Sequence, residues 1–152
     1  MVCTTGTVTF HMTAGGGSNS NYCVGSACTF VWVRVTSPDG KSMPFSQDCV
    51  AKCDDCQPVG CPGLCIAPQR MKPEGETLAW DGTYWDPSTC GAQVQCRSRR
   101  CAAPGRYTAQ MCAYRSTSDA GTGYCMAVEN PTCVDVPFDY PSGTLVEGVL
   151  NP

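Results

Sequence analysis

Fourteen cysteines, at positions 3, 23, 28, 49, 53, 56, 61, 65, 90, 96, 101, 112, 125 and 133, constrain this chain of 152 residues more than any other feature. They make up about 9% of the residues, near the level at which a short chain reads as a disulfide scaffold. Thiols at this density persist as bridges only in an oxidising place: outside the cell, in a periplasm, or in a secretory lumen. The even count allows seven bridges, so the expectation is that Cys3, Cys23, Cys28, Cys49, Cys53, Cys56, Cys61, Cys65, Cys90, Cys96, Cys101, Cys112, Cys125 and Cys133 are all oxidised. Connectivity is not deducible from spacing. Met1-Val2-Cys3 has neither the basic segment nor the apolar stretch of an export signal, and Met1 is therefore read as a start that replaces a removed one.

Five of the cysteines (49, 53, 56, 61 and 65) crowd into a segment rich in proline and glycine. Five is odd, so at least one must pair outside the cluster and tie this segment to the body. The length fits one domain with a real core, and 37–75 reads as a cysteine-knitted insertion within a single domain spanning 1–152. Charged residues are 15% of the chain, against about 25% in ordinary domains, and the net charge is -3, which argues against a nucleic-acid partner. No apolar run is long enough to span a membrane as a helix.

Period-2 alternation recurs in short runs, the signature of half-buried strands. Val8, Phe10 and Met12 alternate with threonines and His11. Phe30 to Val35 is apolar on both faces except for Arg34, as in a central strand. Thr77 to Trp80, then Tyr107, Ala109, Met111 and Ala113, then Val134, Val136 and Phe138 continue the pattern. Between them lie turn-rich stretches, including Ser37-Pro38-Asp39-Gly40. The fold expected is all-β, an antiparallel immunoglobulin-like β-sandwich. Strand phase sets Cys112 and Cys133 on outer faces, where they would pin loops across the sheet rather than join two sheets through the core.

Two stretches, Glu76-Thr-Leu-Ala-Trp-Asp-Gly82 and Ala103-Pro-Gly-Arg-Tyr-Thr-Ala-Gln-Met-Cys-Ala-Tyr114, together resemble a pattern in bacterial secreted immunoglobulin-like β-sandwich domains. In these a Trp-Asp/Asn-Gly strand end is followed by a Pro-Gly-x-Tyr strand opening; the intracellular proteinase inhibitor type of sandwich shares it. The resemblance implies a Pro104-Gly105 turn and a tyrosine corner at Tyr107, and it licenses no activity.

Cys53, Cys56, Cys61 and Cys65 have the spacing of a four-thiolate zinc site, the main alternative to disulfides. His11, the only histidine, lies among threonines on a strand and lacks a nucleophile motif beside it. The acid pairs Asp54-Asp55, Glu74 with Glu76, and Asp81 with Asp86 read as loop carboxylates rather than a glycosidase pair. The most suggestive cluster is Trp80-Asp81-Gly82-Thr83-Tyr84-Trp85-Asp86-Pro87, whose rings and acids suit a stacking platform. Arg97-Ser98-Arg99-Arg100 forms a basic loop clamped by Cys96 and Cys101.

The functional expectation is a secreted, periplasmic or cell-surface binding or structural module without enzymatic activity and with no cofactor. Contact residues are Trp80, Tyr84, Trp85, Asp86, Arg97, Arg99 and Arg100. The partner is an extracellular protein or glycan surface, or a second copy in a self-assembling structure. Zinc binding and protease inhibition are the alternatives.

Overall fold

A computed structural model describes residues 3, 6–25, 31–45, 50–57, 68–117, 125, 130–142 and 145–151. Among these the chain is built from β-strands and contains no α-helix; two 3-10 turns, Gly15–Gly17 and Asn19–Asn21, are its only helical backbone.

The first sheet is centred on β1 (Val8–Ala14), whose side chains alternate strictly between buried and half-buried. β6 (Glu76–Trp80) pairs with it in antiparallel register, and β11 (Leu145–Leu150) pairs with its other edge in parallel. The second sheet is centred on β9 (Gly105–Arg115). β10 (Thr132–Tyr140) lies antiparallel along one edge of β9; β3 (Val33–Thr36) and β2 (Tyr22–Val24) share its other edge, and β5 (Gln69–Arg70) continues beyond β2. A third sheet has the order β4-β8-β7, from Ala51–Lys52, Val94–Cys101 and Thr83–Cys90.

One core joins the first two sheets because each turns its apolar phase inward. Phe10 and Met12 from β1, Trp80 from β6, and Val146 and Leu150 from β11 meet Val33 and Val35 from β3, Tyr107, Ala109 and Met111 from β9, and Phe138 and Tyr140 from β10. Aromatic rings knit it together: Phe10 meets Phe138 edge-on at 5.5 Å, and Trp80 lies 5.1 Å from Tyr140 and 6.1 Å from Tyr107. These spacings fall in the range where ring pairs add to simple area burial.

Every described cysteine is bridged: Cys3–Cys101, Cys23–Cys125, Cys53–Cys96, Cys56–Cys90 and Cys112–Cys133. Cys28, Cys49, Cys61 and Cys65 lie outside the described residues. Cys53 and Cys56 both leave their cluster for the third sheet, where the odd count required at least one to leave.

Several strand expectations meet their residues. β1, β6, β9 and β10 fall where alternation put them. Ser37 to Gly40 forms a turn closed by the Gly40 amide donating to the Ser37 carbonyl at 2.9 Å, and Thr36 bridges to Ser42. Three expectations need correction. The apolar run is a strand only over Val33–Thr36, with Arg34 exposed, because β3 packs one face on the core; Phe30 lies outside the described residues. Pairing is not wholly antiparallel, since β1–β11 and β4–β8 run parallel. Cys112 and Cys133 stand directly opposite one another on β9 and β10, so their bridge joins adjacent strands instead of pinning loops.

Candidate functional site

Six of the seven expected contact residues gather on one hairpin, β7–β8: Tyr84, Trp85 and Asp86 on the first strand, Arg97, Arg99 and Arg100 on the second. Both were expected as loops. Pairing runs without a break from Thr83↔Cys101 to Cys90↔Val94, and the connection is the three residues Gly91, Ala92 and Gln93. Gly91 and Gln93 have positive φ there, as a tight reversal requires. Three disulfides hold the hairpin: Cys96 and Cys90 tie it to the 50–57 segment, and Cys101 ties its base to Cys3. Among the described residues β7 is the edge of its sheet. Pro87, which has no N–H to offer, is compatible with that position.

Trp80 does not belong to this surface. It is 2% exposed, ends β6 inside the aromatic core, and its indole N–H donates to the Thr83 carbonyl at 2.6 Å. A buried ring cannot meet a partner, and the expected platform does not form as one surface.

Opposite residues in an antiparallel pair share a face, and successive residues alternate. Tyr84, Asp86 and Arg100 therefore lie on one side of the hairpin, with Cys96; Trp85, Pro87, Arg97 and Arg99 lie on the other. The first side turns toward the body, for Cys96 and its neighbour Ala51 are both buried and Tyr84 packs partly against the core. There the Lys41 ammonium donates to Asp86 Oδ1 at 2.7 Å and sits 5.4 Å from the Tyr84 ring centroid. Arg100 Nε stands 4.0 Å from Asp86 Oδ2. The hydrogen bond to Asp86 pushes the Lys41 ammonium above its ordinary range.

On the outer side Arg99 Nη2 donates to Asp81 Oδ2 at 2.9 Å and to Thr83 Oγ1 at 3.2 Å. Partial burial pushes the Asp81 carboxyl up, but hydrogen bonds from the Thr83 hydroxyl and amide, together with Arg99, outweigh it and hold the group below the usual carboxylate range. Trp85 lies directly across from Arg99, and its amide donates to the Pro44 carbonyl at 2.9 Å. Lys52 of β4 stands beside Arg97 in the parallel register and shares this outer side. Lys41 and Lys52 were missed by sequence reasoning, since only the fold brings them to the hairpin.

The other chemistry-bearing sets are accounted for by local structure. Asp81 and Asp86 serve opposite sides of the hairpin and do not converge. Asp55 accepts from the Gln57 amide as a loop acid does, whereas Glu76, expected in a loop, opens β6 and accepts from the Lys72 amide. His11 Nε2 is 2.9 Å from the Glu74 carbonyl oxygen, and Nδ1 is 3.8 Å from Glu147. Two of the four thiolates in the zinc alternative, Cys53 and Cys56, are in disulfides, and sulfur so bonded is not a thiolate ligand. Cys61 and Cys65 lie outside the described residues. Among those residues, no helix is long and apolar enough to cross a membrane.

The tyrosine corner implied by the resemblance is present as a hydrogen bond: Tyr107 is buried and its hydroxyl donates to the Ala103 carbonyl at 2.6 Å. No family model matches the chain, and no curated protein or solved structure matches it either.

Proposed function

We propose that the chain is a secreted or cell-surface, non-enzymatic binding module, an immunoglobulin-like β-sandwich whose contact surface is the β7–β8 hairpin. One observation carries the reading: a hairpin that three disulfides fasten at its base and along its length sets Trp85, Arg97 and Arg99 on the side turned away from the body. A surface held this way loses little conformational entropy when a partner docks, which is how rigid paratopes gain affinity. Disulfides on this scale fit an oxidising compartment. The sandwich reading is supported by the shared aromatic core and the Tyr107 corner. It departs from antibody domains in one respect, because the Cys112–Cys133 bridge lies within a sheet rather than between sheets.

The test is binding to arrays of extracellular glycans and of cell-surface proteins. Wild-type chain is compared with a Tyr84→Ser/Trp85→Ser/Arg99→Ser/Arg100→Ser variant shown by disulfide mapping to keep its bridges. Binding by wild type and at least tenfold weaker binding by the variant is the expected outcome. Equal binding by the two proteins would remove the hairpin from the function, and four or more free thiols in the natively isolated protein would remove the compartment.

A further inference from the structure

We infer that β11 is the edge through which two copies of this chain pair, antiparallel and across a two-fold axis at Glu147, so that the first sheets of both copies join into one sheet of six strands. The inference stands apart from the hairpin reading, because the hairpin belongs to another sheet.

Strand edges in natural proteins carry prolines, charges or very few residues, since an open row of N–H and C=O groups invites another strand. The edges of this molecule follow that rule except at β11. β10 carries Pro137 with exposed Asp135 and Asp139, β7 carries Pro87, β3 exposes Arg34, and β4 and β5 are two residues long. β6 exposes only Thr77 and Ala79. β11 runs for six residues without proline or a basic side chain, and among the described residues it pairs on one side only, with β1. Leu145, 57% exposed, and Val149, 47% exposed, stand on its outward phase; they are the only exposed large hydrophobic side chains among the described residues.

The pattern of that phase selects a second copy as the occupant. It reads Leu145, Glu147, Val149: apolar, acidic, apolar from either end. Laid antiparallel against itself, it sets Leu145 opposite Val149 of the second copy and Val149 opposite Leu145, so both exposed apolar side chains are covered at once. Inward residues stay inward, with Val146 opposite Gly148 of the second copy. An isologous interface makes these matches by symmetry, whereas a foreign strand would have to supply each of them. Repulsion falls at the axis, where the two Glu147 carboxylates meet. Each has the His11 ring of its own chain beside it, Nδ1 lying 3.8 Å from Oε1, so the row across the axis reads His11, Glu147, Glu147, His11. A strand of six residues is about 20 Å long, short of an interface of standard size, so the pairing is reversible. It leaves β6, and the β7–β8 hairpin that follows it in the chain, toward the two far edges of the joined sheet, about 24 Å or more apart. The dimer then presents two hairpins, and a partner with repeated sites is held by both.

The measurement is sedimentation equilibrium of the intact oxidised chain. A monomer–dimer equilibrium is expected, with a dissociation constant of roughly 1–100 μM for a contact of this size. Leu145→Lys and Val149→Lys change exposed positions, and disulfide mapping confirms that each variant keeps its bridges. Each should weaken the dimer about tenfold or more, because symmetry makes one substitution break two apolar pairs. Glu147→Gln should tighten it about two- to fivefold, since the like charges at the axis are gone. Ala79→Lys, on the same outer face but at the far strand, should change nothing. Amide exchange along β11 should slow as the protein is concentrated, while exchange along β10 stays as it was.

A chain that remains monomeric to about 1 mM overturns the inference. So does equal weakening by Ala79→Lys, which would mean that the sheets stack by their faces, and so does a looser dimer for Glu147→Gln, which would mean that the carboxylates do not meet. Exchange along β11 that is slow at every dilution overturns it as well, because the chain would then cover this edge itself. The quadruple hairpin variant should dimerise like wild type, so failure of the hairpin reading and failure of this one are told apart.

Discussion

Replacing Tyr107 with Phe tests the corner on which the sandwich reading leans. The ring stays in place among Trp80, Phe138 and Tyr140, and only the hydroxyl goes. Two effects oppose one another. A buried phenol no longer has to be desolvated, which favours the variant, but the Ala103 carbonyl loses a donor at 2.6 Å. Leaving a polar partner unsatisfied costs about 1–3 kcal/mol, more than a typical hydrogen bond contributes net, so the loss should win. For a chain of this size each kcal/mol lowers Tm by roughly 2–4 °C, so a cost of about 2 kcal/mol predicts a fall of about 4–8 °C. There is also a signature in pH. Burial pushes the Tyr107 phenol above its ordinary range. A raised pKa means that the stability it contributes is complete below the unfolded value near 10 and is lost as pH rises through the folded value. Wild type should therefore lose more stability than Tyr107→Phe between about pH 9 and pH 11. Denaturant unfolding of both proteins at pH 7 and across that alkaline window is the assay. Equal or higher stability of the variant at pH 7, with parallel alkaline profiles, would refute the corner as a stabilising tether.

Two further predictions concern the backbone and the staples. Gly82 has φ +80°, and a Cβ there would land on the Tyr140 hydroxyl and lie 2.7 Å from its Cζ, with that ring wedged in the core. Gly82→Ala should cost about 2–5 kcal/mol from backbone conformation and overpacking together, whereas Gly40→Ala, at φ +83° in open space, should cost only about 1–2 kcal/mol; thermal unfolding separates them. Cys23–Cys125 spans 102 residues and Cys112–Cys133 spans 21, so removing the first pair as alanines should destabilise more, by about 1–2 kcal/mol on loop-entropy grounds, as read by denaturant midpoints.

What the sequence made legible follows from where its pattern is strong. β1, β6, β9 and β10 each bury one face, so period-2 alternation marks them. β7 carries no such mark: from Thr83 to Cys90 its side chains pass from buried to exposed along the strand rather than from face to face. Its extended form is set by pairing with β8 and by disulfides from distant segments, which no local window contains. β11 was missed for another reason. Its inward phase reads Val146, Gly148, Leu150, and the glycine breaks the alternation where Met111 fills the space, with Sδ 2.5 Å from where a Cβ would be. Composition singles out the aromatic cluster around Trp80, but it does not say which ring ends a strand in the core, as Trp80 does. The cations of the hairpin were legible at Arg97, Arg99 and Arg100, whereas Lys52 arrives only through a parallel pairing from 45 residues upstream of Arg97.

The parallel partnership of β1 with β11 governs how the molecule can be born. Residues 8–14 find their second neighbour only when residues 145–150 are present, so a chain emerging vectorially holds this strand with one edge uncovered until β11 has followed it. Closure of that sheet waits for β11, and pairings this distant in sequence are slow to form. Until then the open edge is a template for the wrong partner. A helper that shields strand edges, or oxidation that fixes the nearer loops first, would have the most to offer in that interval, and truncations ahead of residue 145 should accumulate as aggregates rather than as shortened folded forms.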